Sequence, residues 1–141
     1  MASRQAVAEL PRRAHRPAAA INGLYVLGAL LLAAEAAVHV QQFVVIFHLV
    51  RWVGPLFVAN AAACAAAISG LAYKPTRTVA GLAGVLISTA ALGGLALSYT
   101  VGLFGWIETG LRTPVVIALG SEVSAVIVLA AATWSRWAEA R

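Results

Sequence analysis

"VQQFVVIFHLVRWV", residues Val40 to Val53, is apolar enough to suggest a membrane span and too short to be one. A helix that crosses roughly 30 Å of hydrocarbon needs about 20 apolar residues. Joined to the apolar run that follows, the stretch would give a helix of over about 30 residues, about 45 Å long. Arg51 and Trp52 suit a membrane interface instead. The segment therefore reads as a short helix lying at the surface, or as a bent extension broken at Gly54-Pro55. With a fifth span excluded, the rest of the chain resolves into four.

Residues 18–39 form the first apolar block. The second runs over residues 54–73, the third over 78–100 and the fourth over 113–137. Thr113 and Pro114 suit the start of the last helix, Thr as a cap and Pro at the first helical position. The expected fold is all-α: four transmembrane helices in an up-down bundle, plus a short interfacial helix between spans one and two. Residues 1–141 make one domain, in which residues 1–17 are a basic cytoplasmic tail. The first span is too long for the 7–15-residue apolar region of a signal peptide, and "AEA" at Ala34–Ala36 resembles a cleavage site only superficially. It reads as an uncleaved span.

Composition agrees. Of 141 residues, 62% are hydrophobic and 11% charged, with mean hydropathy +0.88, where a soluble domain would carry about 25% charged residues. The net charge of +5 could suggest nucleic acid, but in so apolar a chain basic residues fix orientation at the bilayer surface. The single cysteine, Cys64, allows no intrachain disulfide and reads as a small packing residue.

Charge then orients the bundle. Arg4, Arg12, Arg13 and Arg16 precede span one, Lys74 and Arg77 lie between spans two and three, and Arg136 and Arg141 end the chain. With four spans, these eight fall on one side, and only Arg51 and Arg112 on the other. The excess of basic residues marks the cytoplasmic side, so the expectation is a multi-pass protein of the cytoplasmic (inner) membrane with both termini inside. Small residues at Ala80, Gly84, Ala90 and Gly94, and at Ala61–Ala63 and Ala65–Ala67, favour close helix approach. We read them as packing within one bundle.

Orientation converts position into depth. At about 1.5 Å per residue, Glu35 lies roughly 7 Å below the outer surface, Asn60 roughly 9 Å and Glu122 roughly 12 Å. His39 sits near that surface, with Ser98, Tyr99 and Thr100 at a similar level. The inner half is nearly bare by comparison, Asn22 and Ser69 aside, with Ser88 and Thr89 near the middle. A charge at the bilayer centre costs about 2.5–3.5 kcal/mol even on insertion scales. Two carboxylates should therefore face a polar interior, be protonated or share a cation.

Three readings follow. In a structural one, Glu35 is protonated or bonds His39 one turn away, and Glu122 bonds Asn60 or Ser121. In a second, Glu35, His39, Asn60 and Glu122 form a site for a cation, proton or small ligand open to the outside. Glu35 and His39 share a helix face, and Glu35, His39 and Glu122 are the candidate ligands of a divalent metal. In a third, the chain is an accessory subunit whose polar groups meet a membrane-complex partner, or it associates with itself. The lipid bilayer is the one partner implied by every reading.

His48 reads as an interfacial residue near Arg51, and a haem held by His39 and His48 is disfavoured because both lie close to one connection. The loop "VGLFGWIETGLRTP" carries Trp106, Glu108 and Arg112. It reads as an interfacial turn in which an exposed Glu108–Arg112 pair is worth little. With no nucleophile–base set, phosphate loop or redox motif, an enzyme is disfavoured. A small proton-coupled transporter is a further alternative.

"AAEAAVHV", "VGPLFVANA" and "LSYTVGLFGWIETG", followed by an acidic residue in the last span, resemble a group of small four-span membrane proteins of actinobacterial type. The resemblance covers roughly residues 35–122. That group has no assigned activity, so it implies the architecture and no chemistry. Tyr25 followed by Glu35 is similar, superficially, to the spacing in span one of small multidrug-resistance transporters. The second carboxylate, the long connection before Pro55 and the one-sided charge depart from that pattern.

Overall fold

The computed structural model describes residues 18–139 and 141. The basic tail of residues 1–17 lies outside the described residues. Four helices account for the bundle: α1 (Ala18–Val45), α2 (Val53–Ala72), α3 (Arg77–Thr100) and α4 (Thr113–Glu139). Each is long and apolar enough to cross a membrane. They pack in a ring, with α1 against α2 and α4, and α3 against α2 and α4. One end of the bundle, the Arg77 end, holds the start of α1, the α2–α3 turn and the end of α4. The Trp106 end holds the two longer connections.

Two boundaries differ from expectation. Helix α1 continues past His39 to Val45, because backbone hydrogen bonding carries on where the apolar pattern weakens. The expected interfacial helix shrinks to one 3-10 turn, Phe47–Leu49. The break falls before Gly54, whose N–H donates to Val50 O at 2.9 Å. Pro55 then lies in the first turn of α2, where a missing N–H costs nothing. A side chain at Gly54 would collide with the carbonyl oxygen of Phe47, so glycine lets the turn lie directly on α2.

The close-packed part of the core centres on Leu129 of α4, which is fully buried. A Cβ at Gly84 would sit 2.6 Å from Leu129 Cδ1 and 3.1 Å from Leu32 Cδ1, and one at Gly28 would run into the same leucine. Across the bundle, a Cβ at Gly70 would lie 2.8 Å from that of Ala80. The small residues thus bring α1, α3 and α4 onto one leucine, and α2 onto α3. This close approach supplies the van der Waals contact on which helix association in lipid depends.

Candidate functional site

Glu35 points into the centre of the ring and is fully buried. Its carboxylate is held from two other helices. Asn60 Nδ2 of α2 donates to Oε1 at 3.0 Å, and Ser88 Oγ of α3, on the helix diagonally opposite, donates to Oε2 at 2.6 Å. Cys64 Sγ donates to Asn60 Oδ1 at 3.5 Å, which fixes the amide so that its NH₂ faces Glu35. Cys64 therefore has a polar role beyond filling space.

His39 is oriented by the backbone. Its Nδ1 lies 3.0 Å from Glu35 O. A carbonyl oxygen can only accept, so Nδ1 carries the hydrogen, and in the neutral ring Nε2 presents its lone pair. Nε2 faces Glu122 Oε1 of α4 at 4.0 Å. Glu122 is only 2% exposed, and its Oε2 has no hydrogen-bond partner. One ligand atom from each of Glu35, His39 and Glu122 can be chosen so that all lie within 4.8 Å of one another.

The bonds differ from the structural reading of the sequence. Glu35 receives no side-chain bond from His39, since the imidazole turns to the main chain. Glu122 bonds neither Asn60, which is committed to Glu35, nor Ser121, whose hydroxyl donates to Ala118 O at 2.9 Å. Ser88, placed by sequence near the middle of its span and apart from the cluster, belongs to it. Glu35 lies ten residues before Val45, about 15 Å from that end of α1, at the level where Ser88 of α3 reaches it.

Towards the Trp106 end, His39, Asn60 and Glu122 border a cavity of about 370 Å³ whose other walls are mainly apolar. Aromatic rings line one side in series. The Phe57 ring lies 4.9 Å from that of His39 and stacks at 4.2 Å on Phe47, which meets Trp106 edge-on at 5.0 Å. Trp106 is placed by a tight turn in which Leu103 and Trp106 exchange backbone hydrogen bonds of 2.8 and 2.9 Å. Phe104 (φ 49°) and Gly105 (φ 84°) occupy its centre, the left-handed pair of a two-residue hairpin. At the same end Arg112 grips Glu108 through two nitrogens, at 2.6 and 3.3 Å, and reaches Gln42 Oε1 at 3.5 Å. Glu108 is 8% exposed, so this pair is less exposed than expected and ties the loop to α1. His48 stays at the surface, its Nδ1 3.1 Å from Phe43 O.

No family model, curated protein or solved structure matches the chain. What the arrangement can do follows from its own atoms. It offers one imidazole lone pair and two carboxylates in a buried setting, with Asn60 and Ser88 holding one carboxylate and a backbone carbonyl holding the ring. Such outer support is what orients ligands around a metal ion.

Proposed function

We propose that this chain is a multi-pass protein of the cytoplasmic membrane, with both termini in the cytoplasm, and that Glu35, His39 and Glu122 bind a divalent cation reached from the outer side. One observation carries the reading: a buried glutamate oxygen without a partner stands beside an imidazole whose free nitrogen faces the same carboxylate. Burying such a group unpaired is costly, and a cation between the two would satisfy both. The mixed nitrogen–oxygen set suits a first-row divalent ion such as Zn²⁺ or Mn²⁺. Ligand atoms about 2.0–2.2 Å from an ion stand about 3.5 Å apart, so side-chain adjustments of about 1 Å would close the site. The one-sided distribution of basic residues supports the orientation.

The cavity supports a second reading. Its volume of about 370 Å³ and apolar walls exceed what an ion needs and fall in the range of small-molecule pockets. In that reading a small ligand with an apolar body places one polar group between His39 and Glu122.

Elemental analysis of chain purified without chelator, followed by Zn²⁺ titration, tests the first reading. One ion per chain is expected, with affinity reduced by at least about tenfold in Glu122→Gln while the helical circular dichroism stays unchanged. Wild type that takes up no Zn²⁺ or Mn²⁺ would overturn it. Mass spectrometry of an organic extract of the same preparation tests the second, which predicts a small molecule that Glu122→Gln loses.

A further inference from the structure

A second pocket, independent of the first, lies at the Arg77 end. Its volume is about 210 Å³, and it sits between the start of α1, the α2–α3 turn and the end of α4. Lys74, Arg77, Arg136 and Glu139 contribute three cations and one carboxylate to its walls, and Asn22 and Tyr25 complete the polar lining. Among the described residues no salt bridge uses any of these charges. Arg77 is already braced: its Nε donates to Leu71 O at 2.8 Å and its Nη1 to Asn22 Oδ1 at 2.9 Å. Those bonds fix the guanidinium without neutralising it.

The second observation is Tyr25. It is only 2% exposed, and its hydroxyl is buried with no hydrogen-bond partner. A buried phenol ordinarily finds a partner. Here the hydroxyl belongs to a residue lining a pocket of positive charge, where it can donate to an anion. Helix dipoles do not decide the sign of this site, because α1 and α3 begin at this end while α2 and α4 finish there. The side chains do, and they leave an excess of two positive charges.

We infer that this pocket binds a phosphate group, with Lys74, Arg77 and Arg136 surrounding its oxygens and the Tyr25 hydroxyl donating from below. A planar guanidinium with free N–H groups and a flexible ammonium are the donors that recognise phosphate. Basic pockets between membrane helices bind anionic lipid headgroups in this way. The group can belong to a phospholipid or to free phosphate, and both present the same oxygens.

Native mass spectrometry of the full chain in detergent, titrated with phosphatidylglycerol or phosphatidylcholine, tests the assignment, with inorganic phosphate as competitor and as sole ligand. The first phosphatidylglycerol should bind in clear preference to phosphatidylcholine. Losing one basic side chain should cost about fivefold, so Lys74→Gln combined with Arg136→Gln should cost about 25-fold. Both residues are exposed, so folding should survive. Tyr25→Phe keeps the ring and should lower the affinity for phosphatidylglycerol, or for inorganic phosphate, about fivefold. Inorganic phosphate that displaces the lipid, or binds alone in a Lys74- and Arg136-dependent way, identifies free phosphate as a ligand. Saturable lipid binding unaffected by phosphate identifies the headgroup. No preference for phosphatidylglycerol together with no uptake of phosphate, or a preference that both variants retain, would overturn the site.

Discussion

Glu122 and Leu129 lie seven residues apart, two turns along one face of α4, yet their surroundings are opposites. Around Leu129 the helices meet through Gly28 and Gly84, with no room for one added carbon. Around Glu122 the helices stand apart over a cavity of about 370 Å³ walled by Phe47, Phe57 and Trp106. Small residues close the bundle at one level, and ring-bearing residues leave room at the other. In lipid, where apolar burial gives helices little reason to associate, the leucine level is what holds the bundle together, which leaves the glutamate level open for binding.

If that division is right, the costs of substitution should fall in a definite order, read from thermal unfolding in detergent by circular dichroism. Gly28→Val puts branched carbon against Leu129 and should destabilise by about 3 kcal/mol, the upper part of the range for overpacked cores. Glu35→Leu strands the donors of Asn60 and Ser88 and should cost about 2 kcal/mol. Ser88→Ala removes one of those bonds and should cost about 1 kcal/mol. Glu122→Gln should change stability by less than about 0.5 kcal/mol, because the lost oxygen has no partner to strand, while it abolishes tight cation binding. A Glu122→Gln penalty as large as that of Gly28→Val would erase the distinction between the two levels.

The four helices were legible because about 20 apolar residues is a length that lipid dictates, and α3 and α4 start within a residue of where the sequence placed them. The end of α1 was not. Hydropathy marks where hydrocarbon stops, whereas the helix stops where backbone bonding does, at Val45. The helix runs six residues past the apolar block, and nothing in the hydropathy ties Glu35 to Ser88. A serine in mid-span can return its hydroxyl to its own helix, as Ser69 does to Ala65 O at 2.9 Å, so sequence alone could not tell which serine reaches across. The imidazole of His39 was misplaced for a related reason. Spacing of four puts two side chains on one face without saying whether the ring prefers the carboxylate or the carbonyl behind it. Tyr25 stood out in the sequence only by its spacing to Glu35, and nothing there pointed to the second pocket, since a tyrosine near a helix start resembles an interface anchor.

The bonds of Glu35 also impose an order in time. The ribosome makes Glu35 25 residues before Asn60 and 53 residues before Ser88. Helix α1 therefore reaches the bilayer carrying an acid whose partners do not yet exist. Pairing with α2 supplies the first donor, and the arrival of α3 supplies the second. A helix with a buried acid comes first, and the two made after it bring its donors in turn. A chain truncated before Ser88 should consequently be cleared by membrane quality control, although its two apolar helices are complete.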